Sequence, residues 1–235
     1  MRRVDGGRSL YLDPYADTLN WMLKLENLSA DEWQAIESLF RACQGRLKTF
    51  AFIDPLGNML SHSESLRAQA WDSDAYLSVS DGESDMWDTL KGSQLVNAGQ
   101  DIASISQTLP VSAALQYTLS VYLRSASPVA VELFIDSEGA ERRARVPVSS
   151  QWKRFTMTAG LAVETESCRF GISIPAGYTV NCCGFQAEAQ PYPSRYKPSV
   201  KGAVYRDARF DTDTLPVEVG SPGCFSTTLR LTSPA

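Results

Sequence analysis

Four acidic residues, Asp81, Glu83, Asp85 and Asp88, stand close enough in the chain for their oxygens to converge on one hard cation. Calcium is the ion that such carboxylate sets hold. The run Asp-Gly-Glu-Ser-Asp-Met-Trp-Asp lacks the full EF-hand pattern, so a solvated acidic loop is the alternative. Beyond this structural calcium no cofactor is expected. From Glu64 to Asp101 the chain has eight acidic residues against two basic ones, a local charge of −6.

A second set of side chains suits sugar. Tyr122, Arg124, Glu132 and Phe134 alternate with apolar neighbours along two segments, so each points away from the apolar face. If the two segments are neighbouring strands, an aromatic ring lies beside charged hydrogen-bonding groups. That is the composition of a glycan platform, where the ring stacks on apolar sugar faces and the polar groups fix hydroxyls. The alternative is a face packed on another subunit or simply wetted. Trp87, in the acidic loop, is the most exposed candidate of the five tryptophans, while Trp71 and Trp152 are assigned to the core.

Other chemistries are poorly supplied. His62 is the only histidine, which rules out a multi-histidine metal site, and its Ser-His-Ser setting reads as a solvated loop. Cys43, Cys168, Cys182, Cys183 and Cys224 show no C-x-x-C spacing and cannot all pair, as expected of reduced thiols. Adjacent Cys182 and Cys183 should face opposite sides of a strand, one buried and one less so, the alternative being a vicinal disulfide. No segment marks a pair of hydrolytic carboxylates, so no enzyme is expected. A net charge of −5 argues against a nucleic-acid grip, no apolar run is long enough for a membrane helix, and Met-Arg-Arg-Val-Asp-Gly-Gly-Arg runs into no apolar stretch of a secretory leader.

The elements that must position these residues fall into three stretches. Leu19, Trp21, Leu23 and Leu25 alternate with polar or exposed-type residues, predicting a strand over 18–26. Ser29 and Glu32 form a capping-box pattern, Leu28 and Trp33 can staple across it, and Trp33, Ile36, Leu39, Phe40 and Cys43 continue at helical spacing to Gly45. Leu47 to Ile53 reads as a strand closed by Asp54-Pro55-Leu56-Gly57. From Asn58 the pattern becomes short alternating strands, with turns such as Ser137-Glu138-Gly139 and Pro175-Ala176-Gly177, implying seven or eight strands of a sandwich or jelly roll. Gln190 to Lys201 carries Pro191, Pro193 and Pro198 among tyrosines and reads as an extended connector able to lie against a neighbouring subunit. Beyond it, 203–210 and 225–231 read as strands that return to the first stretch, the alternative being a serial chain with a frayed C-terminal tail.

Two resemblances attach to these residues. Trp21-Met-Leu-Lys-Leu-Glu-Asn-Leu-Ser-Ala-Asp-Glu-Trp33, Phe50-Ala-Phe-Ile-Asp-Pro55 and Tyr205-Arg-Asp-Ala-Arg-Phe-Asp-Thr-Asp213-Thr-Leu215 resemble the distal and minor tail proteins of long-tailed bacteriophages. Asn58-Met-Leu-Ser-His-Ser-Glu64, Trp71, Tyr117 to Arg124, Trp152-Lys-Arg-Phe155, Gly184-Phe-Gln-Ala-Glu188 and Pro193-Ser-Arg-Tyr196-Lys-Pro198 are similar to jelly-roll carbohydrate-binding-like modules of phage tail and fibre proteins. The chain departs from that module around Asp81 to Asp88.

The resemblance implies a mainly β protein: a small split β-sheet-plus-one-helix ring domain (residues 1–57 and 203–235) with an inserted jelly-roll β-sandwich (58–202). It implies a structural part of a phage tail tip or baseplate, assembled in the host cytoplasm and carried on the virion. The partners implied are further copies in a hexameric ring, the tail tube, other tail-tip proteins and a host surface glycan. The competing expectations are a stand-alone carbohydrate-binding or receptor-recognition module and, further off, a glycan-degrading enzyme.

Overall fold

The computed structural model describes residues 2–4, 7–9, 18–137, 140–162 and 165–234. Met1, Asp5 and Gly6 of the opening residues read for a leader, and Glu138 and Gly139 of the expected turn, lie outside that set. The chain is mainly β and divides into two compact units, Met1–Phe52 with Tyr205–Ala235, and Ile53–Val204. Among the described residues no helix is long and apolar enough to cross a membrane.

The first unit draws on both ends of the chain. Its elements are β1 (Arg2–Val4), β2 (Gly7–Ser9), β3 (Thr18–Leu28), α1 (Ala30–Cys43), β4 (Phe50–Ile53), β15 (Val204–Phe210), β16 (Glu218–Ser221) and β17 (Cys224–Pro234). The intervening β5 to β14 belong to the second unit. β3 runs antiparallel to β17 from Leu28 opposite Phe225 to Thr18 opposite Pro234, and the order on the other side is β16-β17-β15-β4. The helix begins where the side chain of Ser29 accepts from Glu32 N–H at 3.3 Å and Glu32 accepts from Ser29 N–H at 2.8 Å. It stops at Gln44, held in the left-handed region, with the N–H of Gly45 donating to Phe40 C=O. Trp21, Phe40, Phe50, Phe52, Phe210 and Leu231 pack together with Cys43 as this unit's core. The expected strand at Leu47 begins only at Phe50, because Leu47 is exposed in the turn that leaves the helix.

The second unit is a sandwich of two five-stranded antiparallel sheets, a jelly-roll arrangement. Its strands are β5 (Asp72–Ser73), β6 (Leu77–Glu83), β7 (Gly92–Asn97), β8 (Ala103–Pro110), β9 (Gln116–Arg124), β10 (Val129–Ser137), β11 (Ala140–Val148), β12 (Lys153–Gly160), β13 (Ser167–Ile174) and β14 (Thr179–Glu188). One sheet is ordered β11-β10-β13-β8-β5 and the other β12-β9-β14-β7-β6. Alternation explains what lies between them: Tyr117, Leu119, Val121 and Leu123 of β9 meet Val131, Leu133 and Ile135 of β10 and Phe170 and Ile172 of β13 in one continuous core. Trp71 joins it, its ring edge-on to Phe185 at 5.0 Å and its Nε1–H donating to His62 C=O at 3.1 Å.

Candidate functional site

The outward residues of β9 and β14 do not face solvent along their whole length. Thr118, Ser120, Gln186 and Glu188 have no exposed surface, and polar groups buried so completely need partners. Residues 190–199 supply them. Thr118 Oγ1 donates to Gln190 C=O, Thr158 Oγ1 to Pro191 C=O, and Glu188 accepts from Ser194 N–H at 2.9 Å. Gln186 Oε1 accepts from Lys197 N–H at 2.7 Å, and Arg154 Nη1 donates to Ser194 C=O at 2.7 Å. The Pro/Tyr stretch, read as an extended connector, is a strap laid back on its own sheet. Prolines leave such a segment with few N–H groups and unspent carbonyls, and outward-facing hydroxyl, amide and guanidinium donors are the complement.

At the end of the strap the aromatic residues gather. Tyr196 places its ring against the indole of Trp87, 5.5 Å between centroids and 18° from parallel, and its hydroxyl shares a 3.0 Å hydrogen bond with Ser63 Oγ. Burial pushes the Tyr196 phenol well above its ordinary pKa, keeping it a neutral hydroxyl. Tyr122 meets Trp87 edge-on at 5.2 Å, and the guanidinium of Arg154 lies 5.6 Å from the Tyr122 centroid. The close approach requires Gly184, at φ +63° in a bulge of β14. A Cβ there would sit 3.0 Å from Tyr122 Cδ2 and 3.3 Å from Trp87 Cη2.

The loop carrying Trp87 is tied by Asp85. Its carboxylate accepts from Trp87 N–H at 2.8 Å, from Thr89 N–H at 2.9 Å and from the Thr89 hydroxyl. Burial works to raise this carboxyl, but the Thr89 and Trp87 hydrogen bonds, with Lys91, hold it below its ordinary value. The result is a tryptophan with one face packed on Tyr196 that is still 45% exposed. Arg124 stands over the ring of Trp152 at 4.6 Å, with Nη2 3.5 Å from Ser84 C=O in the same loop. Trp152 is thus half-buried at the sheet surface, not a core residue.

Of the five residues expected to form a sugar platform, Trp87 and Tyr122 meet, and Arg124 stands on the same sheet. Glu132 and Phe134 do not join them. β9 and β10 are consecutive in sequence, but the chain crosses from one sheet to the other between them, so their outward faces lie on opposite sides of the sandwich. Phe134 is 1% exposed, roofed by the guanidiniums of Arg143 and Arg169 at 5.2 and 5.4 Å, and Glu132 faces Arg143 at 3.8 Å. Beside them a cavity of about 360 Å³ is lined by Asp136, Arg143, Cys168 and Arg169.

The four acids expected to hold calcium are also separated. Asp81 is occupied by Ser65 Oγ, Leu66 N–H, Arg67 N–H and Ser93 Oγ, and Asp85 by its own loop, while Asp88 is exposed. Glu83 is half-buried at the end of β6. Among the described residues no three His, Cys, Asp or Glu side chains are placed to hold a metal. Asp81 and Asp85 each tie a turn or loop through these hydrogen bonds, a common role of Asp beside Gly and Ser. Cys182 and Cys183 are free and both buried, because the Trp87 loop covers the outer face. Burial pushes the Cys183 thiol up to about 11 and Cys182 well above its ordinary value.

Tyr196, Arg154, Gln186 and Glu188 were not singled out as site residues by the sequence. The one available signal was the alternation that puts Gln186 and Glu188 outward beside a proline-rich segment.

No protein-family model matches the sequence, and no curated protein matches it. Among solved structures the chain is similar to the C-terminal family 22 carbohydrate-binding module of a Clostridium thermocellum protein, at 11% identity over 61% of this chain and 100% of that one, with a TM-score of 0.49. It is similar to the CBM22-1 xylan-binding domain from Paenibacillus barcinonensis, at 12% identity over 61% of this chain and 99% of that one, TM-score 0.46. A third similarity is to the enzymatically active domain of tailspike protein 4 of bacteriophage CBA120, at 9% identity over 57% of this chain and 22% of that one, TM-score 0.46.

Proposed function

We propose that the Ile53–Val204 unit is a non-catalytic glycan-binding module whose contact residue is Trp87. The observation that carries this reading is the combination of exposure and fixation at that residue: an indole 45% exposed yet backed by Tyr196, edged by Tyr122 and anchored through Asp85. A free indole in a loop loses entropy when a ligand orders it, whereas this one is ordered beforehand. Its open face suits the apolar face of a pyranose, and Arg124 beside Ser84 supplies donors for ring hydroxyls. The test is a glycan microarray probed with the full chain and with Trp87→Ala. Binding by the first and not the second is expected, and equal binding by both, or none, would refute the reading.

A second reading places this module on a phage tail ring that joins tube to tip. It rests on the tail-protein resemblance of the chain ends and on β16, an edge strand in which every residue is exposed, with Val219 at 64%. An open edge of that kind is a template for pairing with a neighbouring copy. Density from intact tails tests it: a closed ring with the jelly roll at its periphery is expected, and a lone copy at a fibre tip, or a jelly roll lining the central channel, would contradict it.

A further inference from the structure

We infer that the Trp87 site reads the end of a glycan, one or two sugar units, and not the interior of a long chain; this rests on the glycan-binding reading above. A sandwich sheet that grips a polysaccharide along its length needs an open face several sugar units long. Here residues 190–199 lie across the middle of the face of β12, β9 and β14 and interrupt it. Thr118, Ser120, Gln186 and Glu188 have no surface left to offer, and Arg154 is spent on Ser194 C=O and Ser120 Oγ at 2.7 and 2.8 Å.

The strap is also pinned beyond the sheet. Asn58 Nδ2 donates to Lys197 C=O at 3.0 Å, Ser63 N–H to Ser199 C=O at 2.9 Å, and His62 N–H to Val200 C=O at 3.1 Å. Asn58 itself is buried and holds Phe185 C=O, Leu60 N–H and Ala187 N–H as well, so the anchor is part of the sandwich core. A glycan seeking the sheet face would have to replace this whole set of hydrogen bonds, each of them a protein contact already made without loss of ligand freedom.

Trp87, 45% exposed, is the aromatic ring left open beside this covered patch. One face of its indole is taken by Tyr196 and Tyr122 meets it edge-on, so this ring offers room for one sugar unit on its remaining surface. Tyr192, 66% exposed, rides on the strap itself and provides the internal control for a longer path.

The experiment is calorimetric titration of the full chain with xylose, glucose, galactose and mannose oligosaccharides of one to six units. For whichever sugar binds, affinity is expected to change by less than about threefold from two units to six. The corresponding polysaccharide is expected to compete in proportion to its chain ends. Affinity that climbs about tenfold or more over the same series, and falls again in Tyr192→Ala, would overturn end recognition while leaving Trp87 as the contact. Binding that survives Trp87→Ala would overturn the underlying reading, and binding of none of these sugars would overturn both.

Discussion

The indole of Trp87 and the phenol ring of Tyr196 lie nearly parallel, 18° apart with centroids 5.5 Å from each other, though one belongs to the β6–β7 loop and the other to the strap. The strap is therefore both the cover of the sheet and the backing of the exposed tryptophan. Removing the ring should free the indole: Tyr196→Ala is expected to red-shift tryptophan emission and to weaken glycan binding about tenfold, on the scale of one aromatic pair. Tyr196→Phe keeps the stack and loses only the Ser63 hydrogen bond, so it should bind nearly as the parent does. Fluorescence and titration of the two variants side by side check this.

Asp85 gives the site a pH limit. Its carboxyl sits below the ordinary value of 3.8 when folded, so the ordering it contributes is fully present above 3.8 and is lost as pH falls through the folded value. Binding should hold steady down to the ordinary carboxylate range and collapse only in stronger acid. Asp85→Asn, which cannot accept from Trp87 N–H and both Thr89 donors as well as the anion does, should weaken binding at neutral pH. A binding profile that falls between pH 7 and 5 would count against this role.

Gly184 is expected to tolerate no side chain. Ala at φ +63° is strained by about 1 kcal/mol, and its methyl would press on Tyr122 and Trp87. Gly184→Ala should lower stability by about 1–2 kcal/mol in denaturant titration and reduce binding together with it.

The first unit should survive removal of the second. Phe52 and Tyr205, where the chain leaves and re-enters it, stack at 6.4 Å and 23°, so the two cut points are close. Joining residues 52 and 205 through a short Gly/Ser linker is expected to leave a cooperatively unfolding domain. Loss of any cooperative thermal transition would contradict it.

Alternation and capping made much of this fold readable before any coordinates. Tyr117 to Leu123 and Val129 to Ile135 declare their inward faces, and Ser29 with Glu32 marks the helix start. Alternation names a face but not a neighbour, and this is why Glu132 and Phe134 were grouped with Tyr122 although the chain changes sheets between them. β6 was missed because Leu77-Ser-Val-Ser-Asp-Gly-Glu has only two apolar residues, and β5 has none. What the strap lies on was not legible for a different reason: a Pro/Tyr segment has the same composition whether it spans to a neighbour or folds home, and the bonds from Gln186, Glu188 and Arg154 show it lying on its own sheet.

The claim that Trp87 is the contact residue is tested most directly by following indole N–H resonances of the ¹⁵N-labelled full chain during titration with a bound oligosaccharide. The chain has five tryptophans, so each reports separately, and the signal missing from Trp87→Phe identifies the one at issue. The account predicts that this resonance moves most and saturates with the binding isotherm. A Trp87 resonance that stays fixed while another tryptophan's moves would contradict it.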